Sequence, residues 1–416
     1  MRMSEWKEYR ISDLGIIVTG KTPRTAISEN YGGDIPFLSP SDDMESKYVP
    51  LTARCLTVKG LAEVKNCLIP ENSICVSCIG SDMGKSVITD RPIVTNQQIN
   101  SIVPTKFFDP DFVYYLMQSK RREIRFIGGN GTAVPILNKS AFSNLTVMAP
   151  EIDEQRRISS FLSILDKKIA VNRRICENLE AQAQALFKHW FIDFAPFKDG
   201  KFVESELGMI PEELIYKRIE EMPHTLETGK RPAGGVKGIN IGVPSIGAEN
   251  IKGLGCYDFS KTKYVPKEYA ISMKKGIING YELLIYKDGG KPGYFIPNFA
   301  IFGEGYPYDE MCLNEHVFKL DFGNKGYSLF AYFFFKTKQI MSYLNAQGAK
   351  AAIPGINSKD IDAILMPSLE NKSVKNYCNK VESIITQILV LSKESARLAN
   401  LRNALLPKLM SGQIKL

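Results

Sequence analysis

From Ile158 onward the seam positions form one narrow stripe: Ile158, Leu162, Leu165, Ile169, Asn172, Cys176, Leu179, Ala183 and Leu186, spaced alternately by four and three. A helix with that spacing carries a lengthwise seam for a second helix. Glu151, Asp153 and Glu154 supply the acids that favour a helix start, and no glycine or proline intervenes before Pro196. The stripe returns at Tyr377, Val381, Ile384, Ile388, Leu391, Ser395, Leu398, Arg402 and Leu405, each 219 residues later (377 − 158 = 219; 405 − 186 = 219). Asn138 and Asn357, upstream, keep the same offset. Nine positions in phase make the two helices paralogous, and the simplest partner for each seam is the other. Each helix of about 35 residues is expected to span about 50 Å. Antiparallel pairing would set a globule at each end of a stiff spacer, with a two-fold axis across it. Asn172 is a candidate for fixing the register and is expected near Leu391. Packing of each helix on its own globule, or pairing of seams between two copies of the chain, stays open at this level.

Around the helices the chain repeats itself. "VTGKTPR" (18–24) returns as "ETGKRPA" (227–233), and "TNQQINSI" (95–102) as "LNEHVFKL" (313–320). "NSICVSCIGSDMGKS" (72–86) resembles "GYELLIYKDGGKPG" (280–293), and "GGNGTAVPILNKSAFSNLTVMAP" (128–150) matches "NAQGAKAAIPGINSKDIDAILMP" (345–367). A shift of half the chain is a duplication, not a solenoid of short repeats. The expected fold is α+β: two similar α/β globules, 1–150 and 208–367, with a first helical spacer region and linker at 151–207 and a second at 368–416.

The duplication also judges one motif. "GIIVTGKT" (15–22) satisfies the phosphate-loop pattern G-x-x-x-x-G-K-[ST]. In the second copy the first glycine position is His224 and the threonine position is Arg231. Pro23 and Pro232 follow directly, each removing an N–H from the supposed cradle. Ile16, Ile17, Val18 and Thr19 are β-branched and suit a strand. T-G-K-x-P therefore reads as a strand end and a tight turn presenting a lysine, which either contacts a polyanion or merely closes a hairpin. A nucleotide-dependent enzyme using Gly15–Thr22 is the alternative of a different class, and a coiled-coil adaptor without DNA contact is a third.

Charge adds an anionic partner to the picture: 53 Lys and Arg against 45 Asp and Glu give a net charge of +8. There is no apolar run of membrane length and no secretory core, so the expected location is cytoplasmic. Eight scattered cysteines suit free thiols. Cys75 and Cys78 form a lone C-x-x-C, more simply two small apolar residues of a strand than a metal site. "DDMESK" (42–47) offers closely spaced acids with no strand between them, and reads as a charged loop.

The chain resembles the specificity (S) subunits of type I restriction–modification enzymes along essentially its whole length. The resemblance rests on "PEIDEQRRISSFLSILDKKI" with "LEAQAQALFKHWF", on "SELGMIP" before the second half, and on the paired T-G-K-x-P turns. Trp6 fits the family pattern in the first copy, where Leu214 stands in the second. The resemblance implies that each globule is a target recognition domain for one half of an asymmetric, bipartite double-stranded DNA site, and that the helices form the antiparallel coiled coil between them. It implies two modification subunits that bind S-adenosylmethionine and methylate adenine at N6, and two restriction (motor-nuclease) subunits. The chain itself would hold no cofactor, no metal and no catalytic residue. Duplex reading needs cations for phosphates and amide or guanidinium groups for base edges. The candidates are Lys21, Arg24, Lys85, Asn96, Gln97, Gln98, Asn130 and Thr132 in the first copy. In the second they are Lys230, Arg231, Lys291, Asn314, His316, Gln347 and Lys350. Each lies in or beside a recurring Gly-rich turn, and an ordinary turn or cap role is open for every one. The residues that read bases should differ between copies, which singles out Gln97-Gln98 against Glu315-His316.

Overall fold

The computed structural model describes residues 6–128, 136–289, 293–350 and 353–416. It divides into two compact units, one of Met1–Ile169 with Leu398–Leu416, the other of Ala170–Arg397. In the first unit the strands are β1 (Lys7–Arg10), β2 (Gly15–Thr19), β3 (Tyr31–Leu38), β4 (Cys55–Leu56), β5 (Leu68–Ile69), β6 (Ile74–Ser77), β7 (Ser86–Ile88), β8 (Ile93–Thr95), β9 (Ile99–Pro104) and β10 (Thr146–Ala149). They build a sheet ordered β2-β9-β6-β7, a second ordered β4-β3-β8-β5, and a β1–β10 pair that closes the globule. Strand alternation sorts the side chains: in β2, Ile17 is buried while Ile16 is exposed. The helices are α1 (Ile11–Leu14), α2 (Val58–Glu63), α3 (Pro110–Gly128), α4 (Lys139–Ser143) and the long α5 (Ile152–Phe191). α3 starts where the Asp109 carboxylate accepts from the Phe112 N–H at 2.9 Å and Pro110 presets the first turn. Its face of Phe112, Val113, Leu116, Met117 and Ile124 is buried in a core shared with Ile74, Val76 and Ile102 of the first sheet.

The second unit repeats this plan. Its strands are β11 (Phe202–Ser205), β12 (Gly208–Pro211), β13 (Tyr216–Arg218), β14 (Thr225–Thr228), β15 (Val243–Ile246), β16 (Ile251–Gly253), β17 (Cys256–Tyr257), β18 (Lys263–Val265), β19 (Leu283–Tyr286), β20 (Phe299–Ala300), β21 (Cys312–Leu313), β22 (Val317–Asp321) and β23 (Leu365–Pro367). The sheet β14-β22-β19-β20 has the order of β2-β9-β6-β7, and β13–β23 that of β1–β10. β3 runs parallel to β8 and β15 parallel to β21. The helices are α6 (Lys267–Ser272), α7 (Lys325–Phe335), α8 (Lys338–Gly348), α9 (Ser358–Asp362) and the long α10 (Lys372–Met410). Asn138 and Asn357, 219 residues apart, cap α4 and α9: each carboxamide oxygen accepts a backbone N–H of the first turn, from Ala141 at 2.9 Å and from Lys359 at 2.9 Å. Trp6 packs with the core of the first unit, and Leu214, at the equivalent position, is buried in that of the second. The α+β duplication expected from the sequence is present.

The long helices have 40 and 39 residues, and neither shows an exposed seam position. In the first unit, Ile158 and Leu162 share a core with Leu409 and Met410. There Asp166 receives the Arg402 guanidinium at 2.6 Å. In the second unit, the Asn172 amide donates to Glu394 at 2.7 Å and to the Ser395 hydroxyl at 3.3 Å, and Tyr377 donates to the Ala183 carbonyl at 3.0 Å. Within each unit, moving forward on α5 means moving back on α10, so the pairing is antiparallel. The seam positions Leu165, Ile169, Cys176, Leu179, Leu186, Ile384, Leu391, Leu398 and Leu405 are half-buried, while Val381 and Ile388 are buried. Asn172 is fully buried but faces Ser395, one turn beyond the expected Leu391. A repeating stripe defines which face packs, not the vertical register. Outward apolar positions also exist, Ile164 and Val390 among them. In the second unit the helices do more than pair. Phe187, Phe191 and Tyr377 pack among Phe330, Phe333 and Phe334 of α7, with ring centroids 5.0 Å apart for Phe191 and Phe330. α10 ends at Met410, and two residues on is Gly412, whose φ of +71° is left-handed and whose Cβ position lies 2.8 Å from the Trp6 indole nitrogen.

Candidate nucleic-acid interface

Each T-G-K turn is fixed by backbone packing. β2 ends at Thr19 and β14 at Thr228, and Gly20 and Gly229 follow as the chain leaves the sheet. The Gly20 N–H donates to Ile99 at 3.2 Å and the Lys21 N–H to the Thr95 carbonyl at 2.9 Å; Gly229 donates to Asn314 at 3.1 Å. A Cβ on Gly20 would meet the Thr95 carbonyl oxygen at 2.2 Å, and one on Gly229 the Leu313 oxygen at 1.7 Å. Neither turn opens a helix: after Lys21 the first helical residues are the 3₁₀ turn Ser28–Asn30. Gly15–Thr19 is a strand in register with β9, with Ile17 opposite Ile102. The glycine of T-G-K therefore serves loop-on-loop packing and not a phosphate cradle.

The loop it packs on is also built alike in both units. The Asn96 side-chain oxygen accepts from the Gln98 N–H at 3.1 Å, and that of Asn314 from the His316 N–H at 2.9 Å. Asn96 is half-buried and Asn314 buried, so both serve chiefly as turn braces. On these matched scaffolds the outward side chains differ. In the first unit Thr22 donates to the exposed Gln97 side chain at 2.7 Å, and Lys21 stands exposed with no side-chain partner among the described residues. Arg24 is exposed and pairs with Glu63 at 3.5 Å; the Arg24 backbone N–H holds the Glu63 carboxyl below the usual range. In the second unit Arg231 pairs through Nε with Glu315 at 3.1 Å, and Lys230 is exposed. His316 lies between Glu315, at 3.3 Å from Nε2, and Asp288, which pairs with Nδ1. Lys287 joins Asp288 at 3.2 Å.

The remaining candidates divide. Lys85 is largely enclosed by Asp82 at 2.7 Å and Glu45 at 3.1 Å. Burial works against its charge, but the two carboxylates outweigh it and hold its pKa above the ordinary lysine value. Lys350 is exposed and donates to Gln347 at 2.8 Å, at the end of α8. Asn130, Thr132 and Lys291 lie outside the described residues. The structure thus brings Lys21 and Gln97 to one place with Arg24 nearby, and Lys230, Arg231 and His316 to the matching place in the second unit. Sequence reasoning passed over Thr22, Lys287 and Asp288; the signal for Thr22 was its alignment with Arg231. The "DDMESK" stretch is a loop: Asp42 accepts from Ser39 and Ala53 N–H groups at 2.8 Å, and Glu45 pairs with Lys85 and Arg121. Among the described residues no cluster of three or more His, Cys, Asp or Glu is placed to hold a metal ion. No helix of the described residues is long and apolar enough to cross a membrane.

The chain that carries these turns is similar to named proteins. Residues 3–181 match the family model described as type I restriction modification DNA specificity domain. The chain is also 26% identical, over 99% of its length and 94% of the other, to the type I restriction enzyme MjaIX specificity subunit of Methanocaldococcus jannaschii. The type I restriction enzyme HindI specificity subunit of Haemophilus influenzae is 35% identical over 179 residues, 41% of this chain and 39% of that protein. Among solved structures, the type I restriction-modification S subunit from M. genitalium shares the fold with a TM-score of 0.56, at 16% identity over 98% of this chain and 97% of that one.

Proposed function

We propose that this specificity subunit reads an asymmetric, bipartite duplex site, one half through the turns around Lys21 and Gln97 and the other through those around Lys230, Arg231 and His316. The globules 1–150 and 208–367 are then its target recognition domains. The single observation that carries this reading is the pair of equal backbone scaffolds bearing unlike side chains: two readers of one design with two different sequence preferences. Lys21 and Lys230, exposed beside them, supply phosphate contacts. In this reading two modification subunits and two restriction subunits assemble on the chain in the cytoplasm. The modification subunits bind S-adenosylmethionine and methylate adenine at N6, and the chain supplies no catalytic residue.

The test is co-expression of the chain with its modification subunit, followed by single-molecule sequencing of methylated adenines. One divided motif with unlike halves is expected. An undivided motif, a palindromic one, or no methylation refutes the proposal.

A further inference from the structure

The two units make the same side-chain contact with different chemistry. The repeat aligns Thr22 with Arg231 and Gln97 with Glu315, and the residues touch in both: Thr22 with Gln97 at 2.7 Å, Arg231 with Glu315 at 3.1 Å. The backbone beneath is held in place by the T-G-K glycine and by the asparagine-braced turn on both sides. A contact kept in position while both partners change is a pair whose chemistry varies together. Neither pair is buried: Gln97 is exposed, and the Arg231 and Glu315 side chains are 33% and 39% exposed. Core packing therefore does not dictate them.

We propose that positions 22 and 97, and 231 and 315, are the paired specificity positions of the two units, and that Arg231, braced by Glu315, reads a guanine. This rests on the reading that each unit recognises one half-site. The Glu315 carboxylate engages Nε, which leaves the two terminal amino groups without a hydrogen-bond partner among the described residues. That fork matches the O6 and N7 acceptors of guanine in the major groove. The carboxylate also reduces the rotamer freedom that an unbraced arginine loses on docking. His316 and Lys287 flank Glu315, with the Lys287 ammonium 3.3 Å from its carbonyl oxygen, and hold the brace in turn. In the first unit the same place presents the Gln97 amide steadied by the Thr22 hydroxyl, a neutral group that reads a different base.

The full chain with its modification subunit is tested as three variants: Arg231→Thr with Glu315→Gln, Thr22→Arg with Gln97→Glu, and Arg231→Lys alone. The first should relax one G·C position in one half-site, lowering discrimination there by about 5- to 150-fold, with the other half-site unchanged. The second should change one position of the other half-site toward guanine. Lysine keeps the charge but loses the fork, so Arg231→Lys should weaken selection at that same G·C position. Unchanged motifs in the doubles, changes spread over both halves, or full guanine selection by Arg231→Lys overturn the assignment. A double variant that abolishes methylation by misfolding leaves Arg231→Lys to decide. Absence of a divided motif for the unaltered chain would instead defeat the half-site reading itself.

Discussion

Replacing Gly20 with alanine tests whether the T-G-K turn is a packing device. The added Cβ would lie 2.2 Å from the Thr95 carbonyl oxygen and 2.3 Å from both the Asn96 carbonyl oxygen and the Thr95 hydroxyl, where ordinary contact begins at 3.4 Å. The loops must part by roughly 1 Å to admit it. That movement breaks or stretches the bonds from Gly20 to Ile99 and from Lys21 to Thr95. Each is worth about 1 kcal/mol and the overpacking about 1–3 kcal/mol, so the expected loss is roughly 3–5 kcal/mol. Gly20 has no left-handed backbone, which makes the clash the whole cause. Gly32→Ala is the control: its φ is +88° but nothing lies within 4 Å, so only backbone strain of about 1 kcal/mol is expected. Urea denaturation reports the stability, and methylation sequencing reports which half-site suffers. Gly229→Ala, whose Cβ would lie 1.7 Å from the Leu313 oxygen, should damage the other half-site. A Gly20→Ala chain within 0.5 kcal/mol of the original, with its motif intact, would refute the reasoning.

Lys21→Ala and Lys230→Ala should each weaken binding to every duplex sequence alike and lower the slope of log K against log salt by about 0.9, read by fluorescence anisotropy; unchanged slopes would remove both from the phosphate contacts. Breaking the Asp166–Arg402 pair with Arg402→Met should cost about 1–3 kcal/mol in urea, because Asp166 is only 13% exposed and would lose this partner; adding Asp166→Leu should restore part of the loss, and strict additivity of the two changes would contradict coupling. Burial pushes the Cys75 thiol up to about 12 and Cys78 to about 11, so neither should react with a thiol reagent at pH 8 until the chain unfolds. Because these folded pKa values exceed the unfolded one of about 8.5, the folded state keeps more protons above that pH, and stability should fall as pH rises further. Rapid native labelling of Cys75 would contradict this.

The sequence made the long helices legible because a seam repeats and tolerates no glycine: all of its positions are buried or half-buried. Asn138 and Asn357 kept the same offset, but that they cap short helices, α4 and α9, was not read from it. The turns were legible because a glycine pressed against a carbonyl cannot be replaced. Register was not. Asn172 meets Ser395 because the vertical fit depends on the polar groups available across the seam, which no stripe encodes. Nor was the enclosure of Lys85, whose carboxylate partners Glu45 and Asp82 come from another loop and from its own turn. The crowd of aromatics between α7 and the long helices was hidden for a related reason. Phe187 and Phe191 fall outside the heptad stripe and look like ordinary apolar positions until α7 is placed beside them.

The first unit is not contiguous in sequence: its core includes Leu409 and Met410, and Gly412 lies against Trp6. A nascent chain leaving the ribosome therefore cannot finish its earliest-made globule when residue 169 emerges. It must wait for the last twenty or so residues. Until they arrive, Ile158 and Leu162 lack part of their cover, so vectorial synthesis completes the second-made unit before the first.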